Sequence, residues 1–320
     1  HLRGIPLPAF PRIFLDVVSI CRALKIRYLW IDALCIVQDS TEDWEVESAK
    51  MAEVYSNSYL TISATSCADP RTSLFSDRWT TSSPPITHAA IASFAVQYRR
   101  HTFRLRPKLH LAHDRFSQLD NAALHAEDAP LMTRAWAYQE RPLPSRTLHF
   151  LAEELVWECK ADLRCECGLI DNPAHYVVDS EDTQETTNVF SSNDSRTWWF
   201  KSSLTTSRHP SALHLDLSNS WMDLVSKYSR LGLTRETDRL PALSDMAAEF
   251  NYTSLGNYVA GMWTSMLPRA LLYEVIWDRM RPPRPQAYHL QAPTWSWAST
   301  PLSHGYAISY DRALNDFTGL

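Results

Sequence analysis

Asp32, Cys35, Gln38 and Asp39 follow directly on the apolar run Tyr28-Leu29-Trp30-Ile31, within the stretch RYLWIDALCIVQDSTEDW. A carboxylate, a thiol and an amide just past a strand are placed to reach a ligand. In an open parallel sheet, ligands bind in the crevice beyond the carboxyl ends of the strands. On that reading Asp32 is a candidate catalytic carboxylate, and Trp30, Cys35 and Gln38 line the same site. The competing reading is structural: Asp32 or Asp39 caps the following turn or helix by bonding nearby backbone N–H groups.

A second cluster is Arg134, Trp136, Gln139, Glu140 and Arg141 in TRAWAYQERPLP. At helical spacing Trp136 and Glu140 share a face, as do Arg134 and Tyr138, with Trp136 and Gln139 also neighbours. A carboxylate beside an aromatic ring can have a raised pKa and serve as an acid, a base or a stabiliser of positive charge. Glu140 is therefore the first candidate for a catalytic carboxylate and Asp32 the second. Here the bland alternative is an ion pair of Glu140 with Arg134, Arg141 or Arg146.

The elements that must position these groups read as α/β. Ile13 to Lys25 carries apolar residues at helical spacing, Tyr28 to Ile31 reads as a strand buried on both faces, Ser40 to Asn57 as a second helix, and Tyr59 to Ala64 as a strand. Ser40 with Asp43 resembles a capping box at the second helix start. The order helix, strand, helix, strand predicts a short, mainly parallel sheet flanked by helices. Ile91 to Tyr98 is a further candidate strand, Met132 to Arg141 a helix, and Arg146–Phe150 with Leu155–Cys159 a β-hairpin. Helices are predicted at Trp221–Leu231, Leu243–Phe250 and Trp263–Val275, the last interrupted at Pro268, and a strand at Ala292–Ser299. The organisation expected is a domain over residues 1–167 with a variable insertion at about 80–130, a polar linker over 168–215, and a C-terminal helical region with a terminal strand over 216–320.

Composition narrows the classes. With 320 residues, 45% of them hydrophobic, the chain can bury a sizeable core. A net charge of −5 argues against a general nucleic-acid binder. No stretch reaches the roughly 18 apolar residues of a membrane span, and no signal peptide is visible. Only seven glycines are present, and neither GxGxxG nor GxxxxGK[ST] occurs, so phosphate-cradling loops are not expected. The scattered cysteines, with Cys21 and Cys35 in apolar runs, point to reduced thiols and a cytoplasmic setting. Cys159, Cys165 and Cys167, with His149 or His175, offer a metal alternative, but their spacing does not match paired C-x2-C zinc ligands, and no metal is expected. No G-x-S-x-G elbow supports a serine hydrolase.

Three long stretches together resemble the fungal heterokaryon incompatibility (HET) domain family. They are RYLWIDALCIVQDSTEDWEVESAKMAEVYSNSYLTISATS, TRAWAYQERPLPSRTLHFLAEELVWECK, and the ordered pieces DRLPALSDMAAEF, YVAGMW, LPRALLYEV and APTWSWAS. The family's usual opening strand motif, of the form Y-x-A-L-S-Y-x-W-G, is not in this chain, so the domain reads as truncated at its start. The resemblance implies a cytosolic module of fungal self/non-self recognition that triggers programmed cell death, and a distant likeness to TIR domains, some of which cleave NAD. Self-assembly or a partner receptor protein would then be its mode of action.

If the domain cleaves NAD, breaking the nicotinamide–ribose bond builds positive charge on the ribose, and a carboxylate stabilises that state as in glycoside hydrolysis. Glu140 or Asp32 would supply it, Trp136 or Trp30 would stack on a ring, and Arg134 or Arg141 would grip the pyrophosphate. NAD would be a substrate, not a cofactor. The enzyme reading requires Asp32 and Glu140 to converge on one concave pocket; an inactive copy that acts only by binding requires no pocket.

Overall fold

A computed structural model describes residues 4–75, 94–98, 101–105, 129–152, 154–160, 162–166, 210–250, 253–277, 292–300, 302 and 306–310. These residues fall into two compact units. One gathers described residues from 4–131 and 144–166, the other from 132–143 and 210–310.

The first unit opens with helix α1, Arg12–Ala23. Its one buried residue, Asp16, is a clasp: the carboxylate accepts from Ser73 Oγ (2.5 Å) and the Leu74 amide (2.9 Å) and pairs with Arg12 (3.1 Å). A buried charge persists only when paired and hydrogen-bonded, so this clasp fixes the 70–74 segment against α1. The helix ends at Lys25, whose φ of 59° is left-handed. Lys25 N–H bonds Arg22 O and Ile26 N–H bonds Cys21 O, the paired bonds of a Schellman stop.

The chain then passes through Tyr28–Ile31 outside any helix or turn, extended at Ile31, but joins no sheet among the described residues, and Tyr28 is 85% exposed. The expected two-sided burial is therefore corrected: the run has β-forming residues but no strand beside it. It enters a one-turn helix α2, Asp32–Cys35, and then the helices α3, Thr41–Ser48, and α4, Met51–Ser56. The expected single helix over 40–57 breaks at Ala49–Lys50. Its start is as predicted: Ser40 Oγ accepts from the Asp43 amide (3.2 Å).

A four-stranded sheet follows, in the order β1 (Thr61–Ser63), β4 (Arg146–Phe150), β5 (Leu155–Cys159), β6 (Leu163–Cys165). Only β1–β4 is parallel; β4–β5 and β5–β6 are antiparallel. The sheet is mixed, which corrects the mainly parallel expectation. The few residues joining β4 to β5 and β5 to β6 permit antiparallel neighbours alone, since parallel ones need a long crossover, and Tyr28–Ile31 contributes no second parallel pair. The predicted hairpin at 146–159 forms with Phe150 opposite Leu155. A separate hairpin pairs β2 (Phe94–Tyr98) with β3 (His101–Leu105); Ile91–Ser93 of the predicted strand lie outside the described residues.

The second unit holds α5 (Ala135–Glu140), α6 (Pro210–Tyr228), α7 (Pro241–Glu249) and the short α8 (Leu267–Ala270). Helix α5 packs on α7, and α6 packs on β10 (Tyr306–Tyr310), which pairs antiparallel with β9 (Tyr273–Trp277). The helix expected over 263–275 is corrected: after α8 the alternating Tyr-Glu-Val-Ile-Trp run is a strand, as its β-branched and aromatic residues favour. The strand expected at Ala292–Ser299 is corrected as well. Ser296 caps a single 3-10 turn over Trp297–Ser299, its Oγ accepting from the Ala298 amide.

Aromatic rings form this unit's core. Trp221 meets Phe250, Tyr258 and Trp263 edge-on, and Tyr228 meets Trp297. A tight turn at Ala260-Gly261, both at positive φ, joins β7 (Tyr258–Val259) to β8 (Met262–Trp263). Gly261 O accepts the indole N–H of both Trp221 (3.0 Å) and Trp297 (3.1 Å). Arg239 bonds Ala298 O, Thr300 O and Glu236, while Tyr228 Oη donates to Arg239 O. No helix among the described residues is long and apolar enough to cross a membrane.

Candidate functional site

In the first unit the loop from Trp30 to Asp43 spends its polar groups on its own backbone. Asp32 Oδ1 accepts the Ala33 amide at 2.7 Å. Gln38 Nε2 donates to Ile36 O (3.0 Å) and Asp32 O (3.4 Å), and Asp43 Oδ2 accepts the Val37 amide (2.8 Å). These are the local side chain–backbone bonds by which Asx residues and amides shape turns. Cys35 is an exposed free thiol, and Trp30 packs edge-on against Tyr55 at 5.7 Å. Since Tyr28–Ile31 joins no sheet among the described residues, Asp32 stands as the first residue of a one-turn helix and not past the end of a sheet strand.

The same unit contains a buried polar chain that reading the sequence missed. Residues directly opposite in a ladder share a face. The register sets Ser63 opposite His149 and Thr147 opposite Glu158, so one face of the sheet carries all four. Ser63 Oγ lies 2.9 Å from Thr65 Oγ1, Thr65 Oγ1 lies 3.2 Å from His149 Nδ1, and His149 Nε2 lies 2.8 Å from Glu158 Oε2. With Glu158 a carboxylate, Nε2 carries a proton; in the neutral ring Nδ1 then accepts from Thr65, which accepts from Ser63. Hydroxyl, imidazole and carboxylate in series is the order of nucleophilic catalysis. Burial decides against that use: His149 and Thr65 are 0% exposed and Glu158 is 2%. The chain is a satisfied internal network that rigidifies the sheet. The signal was alternation, since a hairpin pairing Phe150 with Leu155 puts Thr147, His149 and Glu158 on one side.

In the second unit Arg134 is exposed and extended at the start of α5, tied down where the Ala135 amide bonds Gly232 O (2.9 Å) and the Gly232 amide bonds Thr133 O (2.7 Å). Trp136 Nε1 donates to Asp238 Oδ2 at 3.3 Å. Asp238 thus anchors an indole, and Pro241, at the first turn of α7, follows a Leu240 with no side-chain cap. Glu140 is half-buried and Arg141 is buried. Gln139 is 1% exposed, and neither its amide oxygen nor its amide nitrogen has a hydrogen-bond partner. Arg146, in the first unit, donates to Tyr59 O (3.1 Å) and lies over the Tyr59 ring.

Asp32, Trp30, Cys35 and Gln38 thus belong to the first unit, and Arg134, Trp136, Gln139, Glu140 and Arg141 to the second. Among the described residues no group of three His, Cys, Asp or Glu side chains is placed to hold a metal; Cys167 and His175 lie outside them. Cys21, Cys35, Cys67, Cys159 and Cys165 are free thiols, and partial burial pushes the Cys21 thiol above its ordinary value.

Comparison with curated proteins gives no match, and comparison with solved structures gives none. Comparison with family models gives one over residues 4–140, described as heterokaryon incompatibility protein (HET). That range takes in two of the stretches that resemble the family, the whole of the 27–66 stretch and the start of the 133–160 stretch. Over residues 4–140 the chain is thus similar to the heterokaryon incompatibility (HET) family.

Proposed function

We propose that the chain is a cytosolic effector of fungal self/non-self recognition, whose HET domain promotes cell death when incompatible strains fuse, and that it acts by binding and assembly. The family match over residues 4–140 carries this reading and supports a heterokaryon-incompatibility role. The binding mode is favoured by the 28–46 stretch: Asp32 and Gln38 bond their own backbone, while Tyr28, Leu29, Val37 and Val46 are exposed. Likeness to TIR domains rests on the resemblance alone.

Inducible expression in a compatible fungal host tests it. Growth arrest with uptake of a membrane-impermeant dye is the expected result, and unaffected growth at verified protein levels overturns the reading. Cellular NAD followed in the same cultures separates mode from outcome. Death at constant NAD supports assembly. A fall in NAD that Glu140→Ala or Asp32→Ala abolishes assigns an NAD-cleaving enzyme with that carboxylate at its centre.

A further inference from the structure

Tyr28-Leu29-Trp30-Ile31 has the composition of a strand, lies outside any helix or turn and is extended at Ile31 (φ −138°, ψ 122°), yet has no ladder partner among the described residues. Neither the N–H nor the C=O of Tyr28, Leu29 or Trp30 makes a hydrogen bond. Tyr28 and Leu29 are exposed. Natural proteins blunt such an edge with charge, proline or a covering element, because unpaired backbone on an apolar extended segment is a template for another strand. None of the four residues is charged or a proline.

The charges on either side select the occupant. Arg22, Lys25 and Arg27 precede the segment, and Asp32, Asp39, Glu42 and Glu45 follow it, all exposed. A second copy laid antiparallel brings the basic flank of each chain beside the acidic flank of the other. A parallel copy would set like against like. Two-fold symmetry about an antiparallel pair requires one residue to face its own copy. Centred on Leu29, the pairing sets Tyr28 opposite Trp30 twice, and aromatic cross-strand pairs stabilise a ladder. Trp30 is already braced against Tyr55, so one ring of each such pair is held in place before association.

We propose that Tyr28–Ile31 is a homodimerisation edge, pairing antiparallel with the same segment of a second copy, Leu29 on the two-fold axis. This deepens the assembly part of the function proposed above and rests on it for its biological sense, but it is read in solution, apart from cell death. Killing without dimers overturns this inference and leaves the effector role; dimers without killing do the reverse.

The experiment is sedimentation of the purified full chain over a wide concentration range, in low and high salt. The expected result is a concentration-dependent dimer that weakens with salt, as screening of the charged flanks requires. Leu29→Asp sets two carboxylates face to face and abolishes it. Leu29→Cys in a Cys35→Ser background gives a covalent dimer on mild oxidation, because facing residues in a ladder lie within disulfide reach. A chain that is monomeric at every concentration overturns the proposal, even if it captures an extended peptide at this edge. So does a dimer that Leu29→Asp leaves intact, with circular dichroism confirming that the variant is folded.

Discussion

Gly261→Ala should unfold the second unit at markedly lower denaturant. Gly261 sits at φ +91°, where an L side chain is strained by about 1–2 kcal/mol. An added Cβ would lie 2.7 Å from Trp297 Nε1, 2.9 Å from Cε2 and 3.0 Å from Cζ2. Trp297 is 0% exposed, so its ring has no solvent to retreat into. Moving it endangers the bond its N–H makes to Gly261 O, and the same carbonyl serves Trp221. A buried donor left without a partner costs about 1–3 kcal/mol. Strain plus one orphaned indole gives about 2–5 kcal/mol, a large part of the roughly 5–15 kcal/mol that holds a typical domain together. Urea titration followed by tryptophan fluorescence reads it out. Gly4→Ala is the control: φ there is +99°, with nothing within 4 Å of the new Cβ, so the strain alone remains, at most about 1–2 kcal/mol. Equal losses in the two variants would refute the reasoning, because the contact with Trp297 and the shared carbonyl would then count for nothing.

Other perturbations test the remaining structure. Glu158→Ala should destabilise the first unit by about 3–5 kcal/mol in denaturant titration, since it strips one partner from a buried pair. Gln139→Met should be neutral or stabilising by up to about 1–3 kcal/mol, because it removes a buried amide with no partner; a loss of stability would mean that the amide is satisfied. Burial raises the hydroxyls of Tyr228, Tyr258 and Tyr310 above the ordinary 10.0. The folded state therefore holds protons that the unfolded chain releases, so stability is full below about pH 10 and falls above it. Tyrosinate absorbance should show these three silent until the second unit unfolds at alkaline pH.

Local signals were legible where one stretch of chain decides the outcome. Ser40 and Asp43 announce the start of α3, and the polar and apolar alternation of Arg146–Phe150 and Leu155–Cys159 announces a hairpin whose register follows from its short connection. What could not be read from Tyr28–Ile31 was whether anything lies beside it. A run of β-forming residues states a preference, and only a neighbour turns preference into a strand. The same limit hid His149 and Glu158. Each is ordinary alone, and they become a pair only when the register sets them on one buried face with Ser63 and Thr147.

Asp32 shows the limit most clearly. Read as the residue past a sheet strand, it faces a crevice; read as the first residue of a one-turn helix, it closes a bond to Ala33. The sequence is identical in both readings, and the choice turns on a partner for Tyr28–Ile31. If that partner is a second copy, the antiparallel pairing places each Asp32 beside the other chain's basic flank, Arg22, Lys25 and Arg27. The carboxylate would then act in association, in addition to capping its own turn. Asp32→Asn separates the two roles. It keeps an oxygen to accept the Ala33 amide, so thermal stability should barely change, while removal of the charge should weaken the dimer at low salt and leave it nearly unaltered at high salt. An equal loss in both salts would remove Asp32 from the interface and return it to capping alone.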